Sequence, residues 1–571
     1  MQTNKAAQTR ADLPAPARPL GHAPTPDAGK KRTARPGLRL NKESVFYNAS
    51  LLTMSGLTLQ IIGFIYRIYL SRVAGAEGLG LYRLIMPVHS LSIAMAISGV
   101  RMATTALSAE MTLPRDKLAV RLLARVCILC FLCVFFLMTL PVMVFQQQIA
   151  ANVLGDIRTM PSLPVIMACI FLTGFELVLE SVFLGINKTK YTAVSNLLEQ
   201  VVQMAVVIFL LVQFGGEDPG MSALLICIGM AFSEVPVVIW LVVSYKRVVL
   251  RLPAPKNAPK PEVKPLLGRI ARIALPVMLG GTVQTLIASA GTVLLPQRLM
   301  AAGLSESEAV GQLGIITGMA VPLMSFPMLF LTALSTVMLP TVSHSLALGR
   351  QNDLKRKIRK AIQAVSLIAL PATAVLLPLA SDLAMLLYDQ PLSDHYLFLL
   401  AIAVVLQDYQ LVSLSILNGL GQQRRAMCNV ILGELVELGL MFTLTALPQV
   451  RIYGYILGMI VCGSLIVTLN LRLIIKKTGV RFSPVKQFFL PLLVAVIAGL
   501  FSNAIYLVLR PQMSAVGAVL ATLAGAIVVY ILLILMIGIR PVRYFKGILQ
   551  RRDGAEQQEY LRRTARGDLP S

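Results

Sequence analysis

Apolar positions in this chain come in long, nearly unbroken runs, without the alternation of a half-buried strand or the single stripe of a surface helix. A run of about 20 apolar residues, wound as a helix, spans the hydrocarbon core of a bilayer. Runs of that length fall at roughly 47–70, 84–108, 120–145, 163–186, 192–213, 221–245, 270–297, 312–340, 361–387, 395–418, 426–447, 452–471, 487–509 and 513–539. The pattern predicts an all-α, polytopic membrane protein of about 14 transmembrane helices.

Composition agrees with the pattern. The 571 residues are 56% hydrophobic and only 14% charged, with a mean hydropathy of +0.74, where a soluble domain carries about 25% charged residues. That balance excludes an ordinary soluble enzyme. The net charge of +25 would suit nucleic acid if the basic residues formed a patch, but they cluster between the runs. With a cytoplasmic N-terminus, 41 of the 52 Lys and Arg residues fall on the inner side, 6 on the outer side and 5 inside or at the ends of runs. Inner loops of membrane proteins carry this excess, so both termini are expected in the cytoplasm of a multi-pass cell-membrane protein, with no nucleic-acid partner. No connection is long enough for a soluble catalytic domain, and no nucleophile or phosphate-loop motif occurs. Neither an enzyme nor a cofactor is expected.

The Pro- and Lys-rich connection at 246–269 follows the sixth run, as a linker between two halves would. FLGINKTKYTAVSNLLEQ (183–200) parallels LNGLGQQRRAMCNVILGE (417–434), with Gly185 matching Gly419 at an offset of 234. Six runs per half keep equivalent runs in the same orientation, so the halves are expected to be parallel repeats around a central cavity. The expected division is a disordered basic tail at 1–43, a six-helix lobe at 44–245, the linker at 246–269 and a second six-helix lobe at 270–475. Two extra helices at 476–540 and a basic tail at 541–571 follow. A transporter reading comes from this plan alone.

Several segments also carry a resemblance. GFIYRIYLSRVAGAEGLGLYRL (63–84), FLGINKTKYTAVSNLLEQVV (183–202), PLMSFPMLFLTALSTVMLPTVS (322–343) and LNGLGQQRRAMCNVILG (417–433) resemble the stage V sporulation protein B family of polysaccharide exporters. That family is a branch of the multidrug/oligosaccharidyl-lipid/polysaccharide flippase superfamily, and the resemblance covers roughly residues 44–540. It implies a fourteen-helix flippase for a lipid-linked saccharide, such as the peptidoglycan precursor lipid II used in cell wall or spore cortex. The sequence departs from the sister lipid II flippases: Tyr66 stands where they place a first-span arginine, Arg67 follows about 100° further round the helix, and residues 312–340 contain no arginine.

Charges inside apolar runs are costly and need a reason. Arg101 lies seven residues before the cytoplasmic end of its run and is the leading candidate for holding a phosphate, which a guanidinium fork grips with two charge-assisted bonds. Arg67 lies near the outer end of its run, where either a cavity role or snorkelling to the headgroups accounts for it. Asn196, Gln60 and Gln284 are candidates to line the cavity and meet sugar hydroxyls, although interhelical hydrogen bonding explains amides equally well. Glu176, Glu180, Glu199, Glu234 and Asp408 are candidates either for coupling to H+ or Na+ or for pairing that holds the lobes together; Glu199 is expected to pair with Arg101. Cys127, Cys130 and Cys133 spiral round one helix and give no metal site. The expected partners are a lipid-linked saccharide, membrane lipids and cell-wall synthesis proteins. Two other functions stay open: a cation-coupled multidrug exporter, and a non-transporting scaffold for wall-synthesis enzymes.

Overall fold

The computed structural model describes residues 45–111, 117–249, 262–390, 392 and 394–537. The two basic tails and residues 250–261 of the 246–269 linker lie outside these residues. Eighteen α-helices follow in order: α1 Val45–Ala96, α2 Ser98–Met111, α3 Lys117–Val144, α4 Gln146–Gln148, α5 Ser162–Gly185, α6 Lys190–Phe214, α7 Pro219–Val248, α8 Val263–Ala301 and α9 Glu306–Leu313. The chain continues with α10 Val321–Met324, α11 Met328–Ala347, α12 Gln351–Leu376, α13 Ala380–Tyr388, α14 Asp394–Gly419, α15 Gln423–Leu444, α16 Ile452–Thr478, α17 Leu490–Leu509 and α18 Ala515–Met536. The described residues contain no strand.

Among the described residues, thirteen helical stretches are long and apolar enough to cross a membrane, so the chain is an all-α, multi-pass membrane protein. The difference from the fourteen expected runs has a local cause. The first stretch contains Gly75 at φ 68°, ψ 178°, outside helical geometry. A positive φ there is open to glycine and strained for other residues. Tyr66 and Tyr82, on opposite sides of Gly75, line one cavity, which a straight helix could not bring together across its rise of about 1.5 Å per residue. The chain therefore turns back at a single residue, and the first stretch holds two spanning segments.

Helix ends follow the local chemistry. Asp218 caps α7 by accepting from the Gly220 and Met221 N–H groups, with Pro219 as the first helical residue, where its missing N–H costs nothing. Ser305 and Glu308 form a reciprocal capping box on α9. The expected span at 312–340 is broken: α9 runs into a π-helical turn at Gly314–Ala320 and the short α10, and helix resumes at α11 after a turn at 325–327. Pro327 cannot continue the α10 hydrogen-bond ladder, because it has no N–H.

Two packing groups emerge. In the first half α5 packs on α2, α3 and α7, and α6 packs on α1 and α7. In the second half α14 packs on α11, α12 and α16, α15 lies along α16, and α17 rests on α12 and α18. The repeat has a structural counterpart. A Cβ on Gly185 would stand 2.5 Å from the Ser108 Cβ and 2.7 Å from the Thr105 carbonyl oxygen. A Cβ on Gly419 would stand 2.8 Å from the Val342 Cβ and 2.8 Å from the Leu339 carbonyl oxygen. Each contact pair is displaced by the same 234 residues as the glycines themselves, so the sequence correspondence is also a correspondence of packing.

The halves meet through α8, which lies on α1, α2 and α15, and through α9 and the π turn, which lie on α1. At the end where Gly75 reverses the chain, backbones touch. A Cβ on Gly80 would stand 2.1 Å from the Val310 carbonyl oxygen, and one on Gly314 1.9 Å from that of Ala76. At the same end the Arg72 guanidinium donates to the Leu387 carbonyl at 2.6 Å and to the Leu386 carbonyl, fastening α1 to the last turn of α13. At the opposite end a Cβ on Gly99 would stand 2.3 Å from the Ala274 carbonyl oxygen, and Arg269 pairs with Glu110.

Candidate binding cavity

Between these two closures lie two adjoining chambers. The larger, about 350 Å³, is walled by Gln60, Gly63, Phe64 and Arg67 of α1, Gln200 of α6, and the broken segment from Pro322 to Thr332. The smaller, about 190 Å³, adds Tyr66, Tyr82, Arg83, Gln203 and Gly318. Gly63, Arg67 and Gln200 belong to both, so Arg67 stands in the common wall. Among the described residues neither Arg67 nor Arg83 has an ion-pair partner. The Arg83 Nε is buried without a hydrogen bond, and so is the Tyr66 hydroxyl. Two guanidinium groups, phenols and amides line this partly open space, which gives it the positive charge and hydrogen-bonding capacity to suit an anionic, polar ligand.

A third cavity, about 250 Å³, lies between α8, α15 and α16 and is lined by Thr292, Glu434, Glu437 and Tyr455 among apolar residues. The Gln284 amide donates to Glu434 at 3.5 Å, and the other Glu434 carboxylate oxygen has no hydrogen bond. The protein thus separates a cationic space in one region from an acidic one in another.

Residues 45–346, more than half of the chain, match the family model described as polysaccharide biosynthesis protein. The chain belongs to the polysaccharide biosynthesis protein family. A second model, MatE, matches residues 295–443. Stage V sporulation protein B of Bacillus subtilis (strain 168) is 25% identical over 507 residues, covering 87% of this chain and 96% of that protein. Sporulation protein YkvU of the same organism is 23% identical over 416 residues, 72% of this chain and 90% of that one. Among solved structures, the lipid II flippase MurJ in an inward closed conformation superimposes with a TM-score of 0.61 at 13% identity, over 85% of this chain and 98% of that one. An inward-facing multidrug resistance MATE family transporter of the MOP superfamily superimposes with a TM-score of 0.58 at 16% identity, over 75% of this chain and 99% of that one. The fold of this polysaccharide biosynthesis protein is therefore shared with flippases and drug transporters alike.

The structure sorts the residues singled out from sequence in this family member. Arg67, an exposed side chain, lines both chambers. Gln60 lines the larger chamber and accepts from the Thr332 hydroxyl at 3.3 Å across the two halves. Arg101 lines none of the three cavities. Its guanidinium meets Glu180 at 3.0 Å, so the partner is Glu180 where Glu199 was expected. The four-residue spacing puts Glu176 and Glu180 on one face of α5, and only Glu180 points toward α2. Glu234 accepts from the Thr173 hydroxyl at 2.7 Å and contacts the Glu176 carboxyl, with Glu199 nearby on α6. These acids therefore gather among α5, α6 and α7, and none of them is in the lining of the two chambers. Asn196 is half-buried outside the chamber linings, and Asp408 is fully buried on α14 with both carboxylate oxygens lacking hydrogen bonds.

Arg83 escaped the sequence reading. Charge counting makes it one of the 6 basic residues on the outer side, because the apolar run begins at residue 84. The missed signal was the Gly75, Gly78, Gly80 series, which marks a tight reversal before the second span and carries Arg83 inward.

Proposed function

We propose that this protein moves a lipid-linked saccharide bearing phosphate from the inner to the outer leaflet, its two six-helix lobes rocking about the paired chambers. The observation that carries this reading is the placement of Arg67 and Arg83, two arginines without acidic partners among the described residues, in the lining of one cavity. An anionic headgroup linked through phosphates matches that charge, and the amides of Gln60, Gln200 and Gln203 suit sugar hydroxyls. The family match and the likeness to stage V sporulation protein B support a role in wall or cortex assembly. The third cavity, with Glu434 and Glu437, suits a small cation, so H+ or Na+ is the proposed coupling partner. A drug exporter fits the acidic cavity but leaves the two unpaired arginines without a task.

The proposed orientation puts both termini, the 347–351 turn and the 478–484 turn in the cytoplasm, and Gly75 and the 214–219 turn outside. A single cysteine at position 352 on a cysteine-free background should resist a membrane-impermeant thiol reagent in intact cells, and one at position 217 should react. The opposite pattern overturns the orientation. Purified protein in liposomes should deliver a fluorescent lipid-linked saccharide to an external quencher faster than empty liposomes do. Efflux of cationic dyes with no movement of the labelled lipid would favour the exporter instead.

A further inference from the structure

The 234-residue repeat that relates Gly185 to Gly419 also relates α3 to α12. The first residues of the two helices, Lys117 and Gln351, stand in register. So do Val120 with Leu354 and Ala124 with Ile358, all four of them buried. In the same register Arg121 matches Lys355, and Arg125 matches Arg359. Each basic pair lies by the end of the last helix of its half. Tyr245 of α7 packs against the cluster that contains Val120 and Ala124, with Arg121 and Arg125 in electrostatic range. Gly479, which is 234 residues after Tyr245, follows α16 directly, and a Cβ there would stand 3.5 Å from the Lys355 Nζ.

Beyond the basic pairs the two halves differ. In the second half, α17 and α18 cover the continuing face of α12. Gln363 donates to the Lys486 carbonyl ahead of α17 at 3.3 Å, and Leu367 packs with Val494 and Ile534. A Cβ on Gly499 would stand 2.8 Å from the Ala374 carbonyl oxygen. The matching residues of α3 are Leu129, Cys133 and Leu140. These are bare: Leu129 is 60% exposed, Leu140 67% exposed, and Cys133 exposed as well.

Two guanidinium groups stand at one end of the bare strip. Arg121 and Arg125 are exposed and have no ion-pair partner among the described residues. They lie three and seven residues inside the apolar stretch that begins at Leu118, or about 4.5 and 10 Å along it. A guanidinium at that depth on a lipid-facing surface calls for a counter-charge. The four-residue spacing sets both on one helix face, in line with Leu129 and Cys133. We propose that this face of α3 is a site for an anionic phospholipid, whose phosphate is held by Arg121 and Arg125. One acyl chain lies along Leu129, Cys133 and Phe136, the place that α17 and α18 take in the other half. Guanidinium forks suit a phosphate, and basic residues at headgroup depth attract anionic lipid; a partner's apolar helix would need no such pair. From Arg125 to Phe136 is about 16 Å of helix, the depth of one leaflet. With the orientation proposed above, that leaflet is the inner one.

The test involves neither cargo nor sidedness, so it is decided separately from the transport reading. Trp240 is the one tryptophan of the chain, so a Trp240→Phe, Cys133→Trp protein carries a single fluorescent reporter within the strip. In phosphatidylcholine liposomes, brominated phosphatidylglycerol should quench it at about one-tenth the mole fraction that brominated phosphatidylcholine with the same chains requires, as expected of two basic residues meeting one anionic headgroup. Adding Arg121→Gln and Arg125→Gln should remove that preference, and changing both to lysine should keep most of it, since the charge stays. Lys355→Gln with Arg359→Gln takes the same charge from the half whose strip is filled by helices, and should leave the preference unchanged. Equal quenching by the two lipids, a preference that survives the loss of Arg121 and Arg125, or the same loss from the Lys355 and Arg359 variant overturns the proposal. Weak quenching by both lipids, as when a second copy of the chain covers the strip, overturns it too.

Discussion

Replacing Arg83 with alanine should reduce transport of a lipid-linked saccharide by about 10- to 100-fold, the range spanned by losing a charge-assisted hydrogen bond of about 1.5–3 kcal/mol. The protein should stay as heat-resistant as the parent. No carboxylate is abandoned by the change, because Arg83 lacks an ion-pair partner among the described residues and its Nε is buried without a hydrogen bond. Arg83→Lys should restore part of the activity, since an ammonium supplies the charge without the planar fork. Arg67→Ala should behave in the same way, because Arg67 stands in the wall common to both chambers. Reconstituted transport and a melting curve on the same preparations check the prediction. Full activity in Arg83→Ala would remove the anion-site reading, and a large fall in melting temperature would show that the residue is structural.

Arg101→Ala should have the reverse signature. Its partner Glu180 is 3% exposed, and the arginine itself 45% exposed. Truncating the arginine leaves a carboxylate stranded in the bundle. Breaking a wholly buried pair costs about 3–5 kcal/mol; with one side open to its surroundings, about 2 kcal/mol is expected here. The double variant Arg101→Ala, Glu180→Gln should recover most of the lost stability, because no charge is then left uncompensated. A thermal-shift measurement on the two single variants and the double separates this from a cargo role. If Arg101→Ala melts like the parent but fails to transport, the ion pair is incidental and Arg101 works on cargo.

Periodicity made the number and type of the helices legible, because a bilayer-length apolar run has few other structural solutions. The repeat was legible from Gly185 and Gly419 because each glycine is needed where one helix lies against the backbone of another. Tertiary position was not legible. Nothing local to Arg101 distinguishes a cavity arginine from one paired with Glu180, since the partner arrives from a helix 79 residues away. The break after Ser325 was visible only as prolines inside an apolar run, and the Arg83 error came from hydropathy averaging over a reversal made by one residue. Charge counting reports which side of a membrane a loop lies on, and it is blind to a basic residue that enters the protein interior instead of the loop.

The reversal at Gly75 also bears on what moves during a transport cycle. Arg67 and Arg83 are sixteen residues apart but belong to one hairpin whose bend has a single residue and no slack. The separation between their charges is therefore a property of that hairpin, like the jaws of a fixed-gap spanner. Displacement of the broken segment from Pro322 to Thr332, which forms the facing wall of the larger chamber, would change the surroundings of the proposed headgroup site without changing the spacing of its two arginines.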